Sequence, residues 1–179
     1  MLITLLLVGY SVHAQQGLFR VNEHEEIRHS ADVRIERLLP VYVSRVIDGD
    51  TIVVQIDNPP MGLRSTERVR LLGIDAPETM HPTRGEEPFG RESTDKARSM
   101  LDARVVYLAF DWDLRDVFGR LLAYVYLSDG VCFNALHVQN GYARALTRYA
   151  FKFTDEFRGY EAEARQGAKG LWEGLVNGL

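Results

Sequence analysis

The chain has 179 residues, 46% hydrophobic and 26% charged, a balance that fits one soluble globular domain with its own core and excludes collagen-like and low-complexity chains. Its single cysteine, Cys132, excludes an internal disulfide framework and a cysteine-built zinc site. The net charge of −4, with three lysines against eighteen arginines, excludes a basic coat over the whole surface, so a polyanion has to be met by a local patch.

Residues 1–14 (MLITLLLVGYSVHA) form an apolar run with small or aliphatic residues before Gln15, and they read as a secretory signal peptide. No Lys or Arg precedes Arg20, so the usual basic start is missing, and an apolar N-terminal element of the fold is the alternative reading. The run is too short to span a bilayer, which takes roughly 18–20 apolar residues. Localisation is expected to be secreted or cell-envelope. Residues 15–39 alternate charges without sustained periodicity and read as an arm or linker with no chemistry of its own.

The folded domain is expected over residues 40–174, with 175–179 as a tail. Val41–Ile47 and Asp50–Ile56 flank Asp48-Gly49, a hairpin signal, because a tight two-residue turn needs the positive φ that glycine tolerates. Glu67–Ile74 reads as a third strand, Val105–Phe110 as a fourth and Leu121–Leu127 as a fifth, the last followed by a second turn at Asp129-Gly130. Helices are expected at Arg91–Leu101, with Glu92 and Lys96 four apart, at Asn134–Gln139, and from a Thr154 cap to about Gln166. Phe157, Tyr160, Ala164 and Ala168 recur at helical spacing and read as one buried stripe. The fold class is α+β with a mainly β core: an OB-type five-stranded barrel with about three packed helices.

Acids and arginines concentrate in three segments at strand ends or turns: Asp48-Gly49-Asp50-Thr51, the run from Arg70 to Thr79, and Asp116 to Arg120. Asp50 and Asp75 offer the hard oxygens that calcium or magnesium prefers. Glu78, three residues past Asp75 across a proline, can reach the same cleft without being forced onto a metal. Arg70 and Arg120 offer fixed charge and paired donors. Together these are the parts for phosphodiester cleavage. Each piece alone has a plainer reading as a turn, a loop or a solvated ion pair.

In this order and spacing the segments VIDGDT, RLLGIDAPET and DVFGR, with Asn134-Ala135-Leu136, Asn140-Gly141-Tyr142-Ala143 and Ala168-Lys169-Gly170-Leu171-Trp172, resemble the staphylococcal nuclease-like, or thermonuclease, family. The likeness runs from about Tyr42 to Trp172. It implies that Asp50, Asp75 and the main-chain carbonyl of Ala76 bind calcium or another divalent cation. It also implies that Glu78 activates or orients the attacking water and that Arg70 and Arg120 clamp the phosphate. The implied reaction is in-line attack by water on DNA or RNA, leaving 3′-phosphate products. Val117 stands where well-known members carry Lys, Phe118 where they carry Tyr, and Thr147 where they carry Tyr. Tyr149 matches a pocket tyrosine. Arg144 and Arg148, with Lys152, add positive charge near it; a solvated basic surface is an equal reading of that stretch.

Elsewhere, Cys132 reads as a buried apolar group, and Trp112 and Trp172 as packing residues. The five histidines lack metal-ligand spacing, and His81 reads as a loop residue beside the cleft. A monomer without a stable protein partner or transmembrane segment is expected. The rival is a non-catalytic OB-type module that holds single strands or a protein.

Overall fold

The computed structural model describes residues 34–79, 85 and 87–173; the leader, the arm up to Val33, His81-Pro82 and the tail lie outside the described residues. After a 3-10 turn at Ile35–Arg37 come strands β1 (Leu39–Asp48), β2 (Thr51–Gln55), β3 (Thr66–Leu71) and β4 (Ile74–Asp75). Helix α1 (Gly90–Leu101), β5 (Val105–Ala109), β6 (Leu121–Tyr126), α2 (Phe133–Gln139), β7 (Arg144–Ala145) and α3 (Thr154–Gln166) follow. Leu39, read as part of the arm, is the first residue of the barrel.

Five strands close a barrel in the order β1-β2-β3-β6-β5, with β1 also pairing with β5. Alternation drives the arrangement: Leu39, Val41 and Val43 point inward from β1 while Pro40, Tyr42 and Ser44 face out. A bulge between Val43 and Arg45 puts Ser44 and Arg45 both outside and returns Val46 to the core. Val54, Val69, Leu121, Ala123, Val125 and Val106 complete the buried interior. Not every strand pair is antiparallel. The β3–β6 pair is parallel, Val69 facing Leu121, and it joins segments some fifty residues apart.

The third strand is shorter than its sequence pattern. It stops at Leu71, turns at Leu72-Gly73 and resumes as β4, which leaves the barrel to pair with β7. That break puts Arg70 and Asp75 on different elements. Asn134, fully buried on α2, secures it: Asn134 Nδ2 donates to Leu72 O at 2.9 Å and to Ala123 O at 3.2 Å, while Val125 N donates to its Oδ1 at 2.9 Å.

Two helix details differ from expectation. Thr154 is the first residue of α3 rather than its cap, and its hydroxyl donates to Phe151 O at 2.7 Å. Lys96 lies over the Tyr142 ring instead of serving a Glu92 pair. The α3 stripe buries Phe157 and Ala164 completely and half-buries Tyr160, but Ala168 lies past the helix at φ 48°. Cys132 is buried, and so is Trp172, but Trp112 is 71% exposed and packs no core. Among the described residues no helix is long and apolar enough to cross a membrane.

Candidate active site

The β1–β2 hairpin supplies the first carboxylate. Asp48 pairs with Thr51, so the two-residue loop is Gly49-Asp50. Gly49 does not have the positive φ expected of it. It is required by space: a Cβ there would collide with Ser93 Oγ and Ala76 Cβ and would press on His137 Nε2. This close approach packs the hairpin tip against α1, α2 and the strand after Arg70, and it buries Asp50.

Asp50 is only 6% exposed yet well bonded. Its Oδ2 accepts Ala76 N at 2.8 Å and lies 3.0 Å from Arg70 Nη1; its Oδ1 accepts the Thr51 hydroxyl at 3.0 Å. Burial pushes the carboxyl up to about 7, against the opposing pull of the Arg70 guanidinium; the Asp48 charge adds to the upward push. Arg70, on β3, also donates from Nη1 to Ile74 O at 2.8 Å and reaches Asp75 Oδ1 from Nη2 at 3.4 Å. One guanidinium thus gathers both aspartates, Asp50 buried and Asp75 half exposed.

The chain then passes Ala76 and Pro77 to Glu78. The Glu78 backbone is held twice by Glu87, its carbonyl accepting Glu87 N at 2.9 Å and its N–H donating to Glu87 Oε2 at 3.3 Å. Its carboxylate is exposed and makes no hydrogen bond to the described residues. The side chain is therefore placed by its backbone but left unengaged.

Arg120 is positioned by a loop that Asp116 organises. Asp116 Oδ1 accepts Phe118 N at 3.0 Å and Arg120 N at 2.9 Å, and Oδ2 accepts Arg120 Nε at 2.6 Å. Gly119 closes the turn at φ 78°, a conformation costly for other residues. Burial would raise the Asp116 carboxyl, but the Arg120 side chain and the two backbone donors outweigh it and hold the group below its ordinary value. Only Nε of Arg120 is used, which leaves both Nη groups without a partner among the described residues.

Two clefts meet at this loop. One, of about 560 Å³, is lined by Glu78, Arg120, Phe118, Arg64, Arg68 and neighbouring β3 residues. The other, of about 480 Å³, is lined by Arg70, Arg120, Arg148, Tyr149 and exposed Trp112, Val117 and Phe118. Arg148 stacks on the Tyr149 ring at 5.0 Å. Arg144 lines neither cleft: it faces Asp75 across the β4–β7 pair, with its guanidinium over Trp172. The structure therefore joins Asp50, Arg70, Asp75 and Ala76 by direct contact, joins Glu78 to Arg120 through one cleft, and joins Arg70 to Arg120 through the other.

The donor chemistry fits a hard divalent cation. Asp50 is a buried carboxyl raised by burial, Asp75 lies beside the same guanidinium, and Ala76, whose N–H donates to Asp50, carries the next main-chain oxygen after Asp75. Among the described residues no group of three or more His, Cys, Asp or Glu side chains forms a ready cage. The remaining positions would thus fall to water and to substrate.

Sequence reasoning missed Glu67 and Arg115. Glu67, buried on β3, is held bidentately by Arg115, at 2.6 Å and 3.0 Å, and Arg115 also donates to Gly62 O and Gly119 O, both at 2.9 Å. This brace anchors the Arg120 loop to the barrel. Forty-eight residues separate the partners, and no local pattern announces them. Trp112 was also missed, because exposure decides between packing and platform.

A family model described as staphylococcal nuclease homologue matches residues 68–174, a span that starts after Asp50 and covers Arg70, Asp75, Ala76, Glu78 and Arg120. The chain is 41% identical over 118 residues to a thermonuclease of Staphylococcus intermedius, covering 66% of this chain and 64% of that one. It is 35% identical over 131 residues to a thermonuclease of Staphylococcus hyicus, covering 73% of each. It is 36% identical over 140 residues to endonuclease YncB of Bacillus subtilis, covering 76% of this chain and 63% of that one. It thus spans just under two thirds of the first and third of these relatives. With the barrel, the helices and the acid–arginine cluster in place, the chain belongs to the staphylococcal nuclease homologue family.

Proposed function

We propose that this protein is a divalent-cation-dependent nuclease that hydrolyses phosphodiester bonds of DNA or RNA, with calcium as the cation. One observation carries the reading. Glu78, its carboxylate free, shares a cleft with the unpartnered Nη groups of Arg120, beside two aspartates gathered by Arg70.

The contacts support the following roles. Asp50, Asp75 and the Ala76 carbonyl would hold the cation, which would neutralise phosphate charge and draw electron density from phosphorus. Glu78 orients a water and accepts its proton as attack begins; its exposed carboxylate has no competing donor among the described residues. Arg120 presents two Nη donors to the non-bridging oxygens, with Asp116 fixing the plane of the fork. Arg70 keeps Asp50 and Asp75 together and faces the second cleft. Attack in line expels the 5′-oxygen and leaves a 3′-phosphate. Tyr149 and Arg148, in the second cleft, contact the nucleotide. Arg144 contributes long-range charge, since it lines neither of these two clefts. A buried Asp50, raised by burial despite the Arg70 guanidinium 3.0 Å away, favours this reading over a module that only held single strands.

The test is cleavage of fluorogenic DNA and RNA in calcium, in excess chelator and with Glu78→Gln. Cleavage in calcium, lost in chelator and lowered by Glu78→Gln at least 100-fold, supports the reading. Undiminished activity in chelator overturns the cation, and an undiminished Glu78→Gln overturns the base.

A further inference from the structure

We propose that the cleft lined by Arg64, Thr66 and Arg68 is a second nucleotide subsite, which holds the backbone of a single-stranded nucleic acid one nucleotide beyond the cleavage position. The proposal rests on the nuclease reading for its orientation, but its test does not.

The cleft of about 560 Å³ shares only Phe118 and Arg120 with the cleft that holds Tyr149 and Arg148. Phe118 is 81% exposed and lies between them, with the Arg120 guanidinium 5.5 Å from its ring. A strand crossing Phe118 would therefore pass over Arg120 and enter the cleft beside Glu78. Space for one nucleotide on only one side of the reacting phosphate would not require this second cleft.

Its charge suits a phosphate. Arg68 is exposed and makes no hydrogen bond or ion pair with the described residues. Arg64 is 75% exposed at its side chain, and its one acidic neighbour, Glu67 Oε2, lies 3.9 Å away. That acid is already satisfied: Arg115 grips both its oxygens, and Arg64 N donates to Oε1 at 2.9 Å. Burial would raise the Glu67 carboxyl, but the Arg115 and Arg64 contacts prevail and hold it below its ordinary value, so the pair stays charged and internally neutral. Arg64 and Arg68 are then left to face solvent as surplus positive charge, in a chain whose net charge is −4. Strand β3 alternates to make this possible, with Glu67 and Val69 inward and Thr66 and Arg68 outward. The Phe118 ring offers a face on which a base can stack, a contact that tolerates any sequence.

The experiment measures binding of a fluorescein-labelled ten-nucleotide thymidylate by anisotropy, in calcium buffer, in a Glu78→Gln background that keeps the probe intact. Arg64→Ala/Arg68→Ala is compared with Arg98→Ala/Arg158→Ala, an equal loss of charge at residues that line neither cleft. The subsite predicts an affinity loss of about tenfold or more for the first pair and less than about twofold for the second. It also predicts a shallower dependence of log K on log salt, by roughly 1.4 for two lost phosphate contacts. Equal losses in the two double variants, or an unchanged salt slope in the first, overturn it. Binding loss without any cleavage by the wild type would sink the nuclease reading and leave the subsite standing. Cleavage with no binding difference would do the reverse.

Discussion

At the scale of single residues, the two arginines of the site do different work although both are guanidiniums beside acids. Arg70 is 13% exposed at its side chain and spends its donors on Asp50, Asp75 and two backbone carbonyls. Arg120 spends one donor on Asp116 and keeps the rest. Lysine retains the charge but not the planar fork. Arg120→Lys should therefore lower kcat by about 10²–10³ with little change in thermal midpoint. Arg70→Lys should lower kcat and also weaken calcium binding, because it releases two carboxylates from one grip. Kinetics beside calorimetric calcium titration separates the two, and identical behaviour would mean the contacts do not define the roles. Gly49 yields a second test. Its φ would tolerate alanine, but its surroundings would not, so Gly49→Ala should cost about 1–3 kcal/mol in urea denaturation and depress activity by moving Asp50. An unperturbed Gly49→Ala would show that the hairpin tip yields easily.

Among the elements, the Glu67–Arg115 brace ties β3 to the loop that carries Arg120. Breaking one side of a buried pair leaves an uncompensated partner, whereas replacing both by apolar groups is often neutral. Glu67→Gln should thus destabilise by about 3 kcal/mol. The double variant Glu67→Leu/Arg115→Leu should recover most of that stability yet keep a reduced kcat, since Gly119 and Gly62 lose the donors that Arg115 gives them. Recovery of both stability and kcat would reduce the brace to packing. The sign of the pH effect follows from Glu67's depressed value. Its contribution is present above the ordinary carboxylate pKa and lost as pH falls through the lower folded value.

On the scale of the whole molecule, His137 gives the core a pH dependence in a different window. It is 1% exposed, stacked on Phe133 and near-parallel to Tyr142, with Ser93 Oγ 3.1 Å from Nε2 and Lys96 the charged group near it. Burial first, and then Lys96, lower its pKa from 6.5 to about 3. The folded protein keeps it neutral while the unfolded chain binds a proton below 6.5, so this group's contribution to stability falls as pH drops from 6.5 towards 3, opposed by Asp50, whose raised value adds stability as pH falls. The slope from this group approaches about 1.4 kcal/mol per pH unit. His137→Gln should lower the slope of stability against pH between 6.5 and 5 by about 1 kcal/mol per pH unit relative to the wild type, leaving the opposite slope of Asp50, raised to about 7, uncovered, as read by urea midpoints of both proteins across pH. An unchanged slope there would assign the effect elsewhere.

Sequence alone determined the elements and the chemical vocabulary of this protein, because both are written in short-range patterns. Short apolar runs bounded by turn signals marked all five barrel strands, and helical spacing marked Phe157 and Ala164 as core. The carboxylates and arginines, clustered within three short segments, were legible as a phosphodiesterase kit, and the spacing of those segments carried the family. Tertiary structure alone decided what those residues touch. The parallel β3–β6 pair, the grip of Arg70 on Asp50 and the Glu67–Arg115 brace each depend on residues far apart in sequence meeting at one place. Gly49 shows the same division: sequence reported a glycine in a turn and suggested positive φ, but the reason for it is Ser93 and Ala76, which only the folded chain brings close. Trp112 likewise carried no local sign of its exposure. Local propensity is a property of neighbours along the chain, whereas burial, ion pairing and clearance are set by neighbours in space.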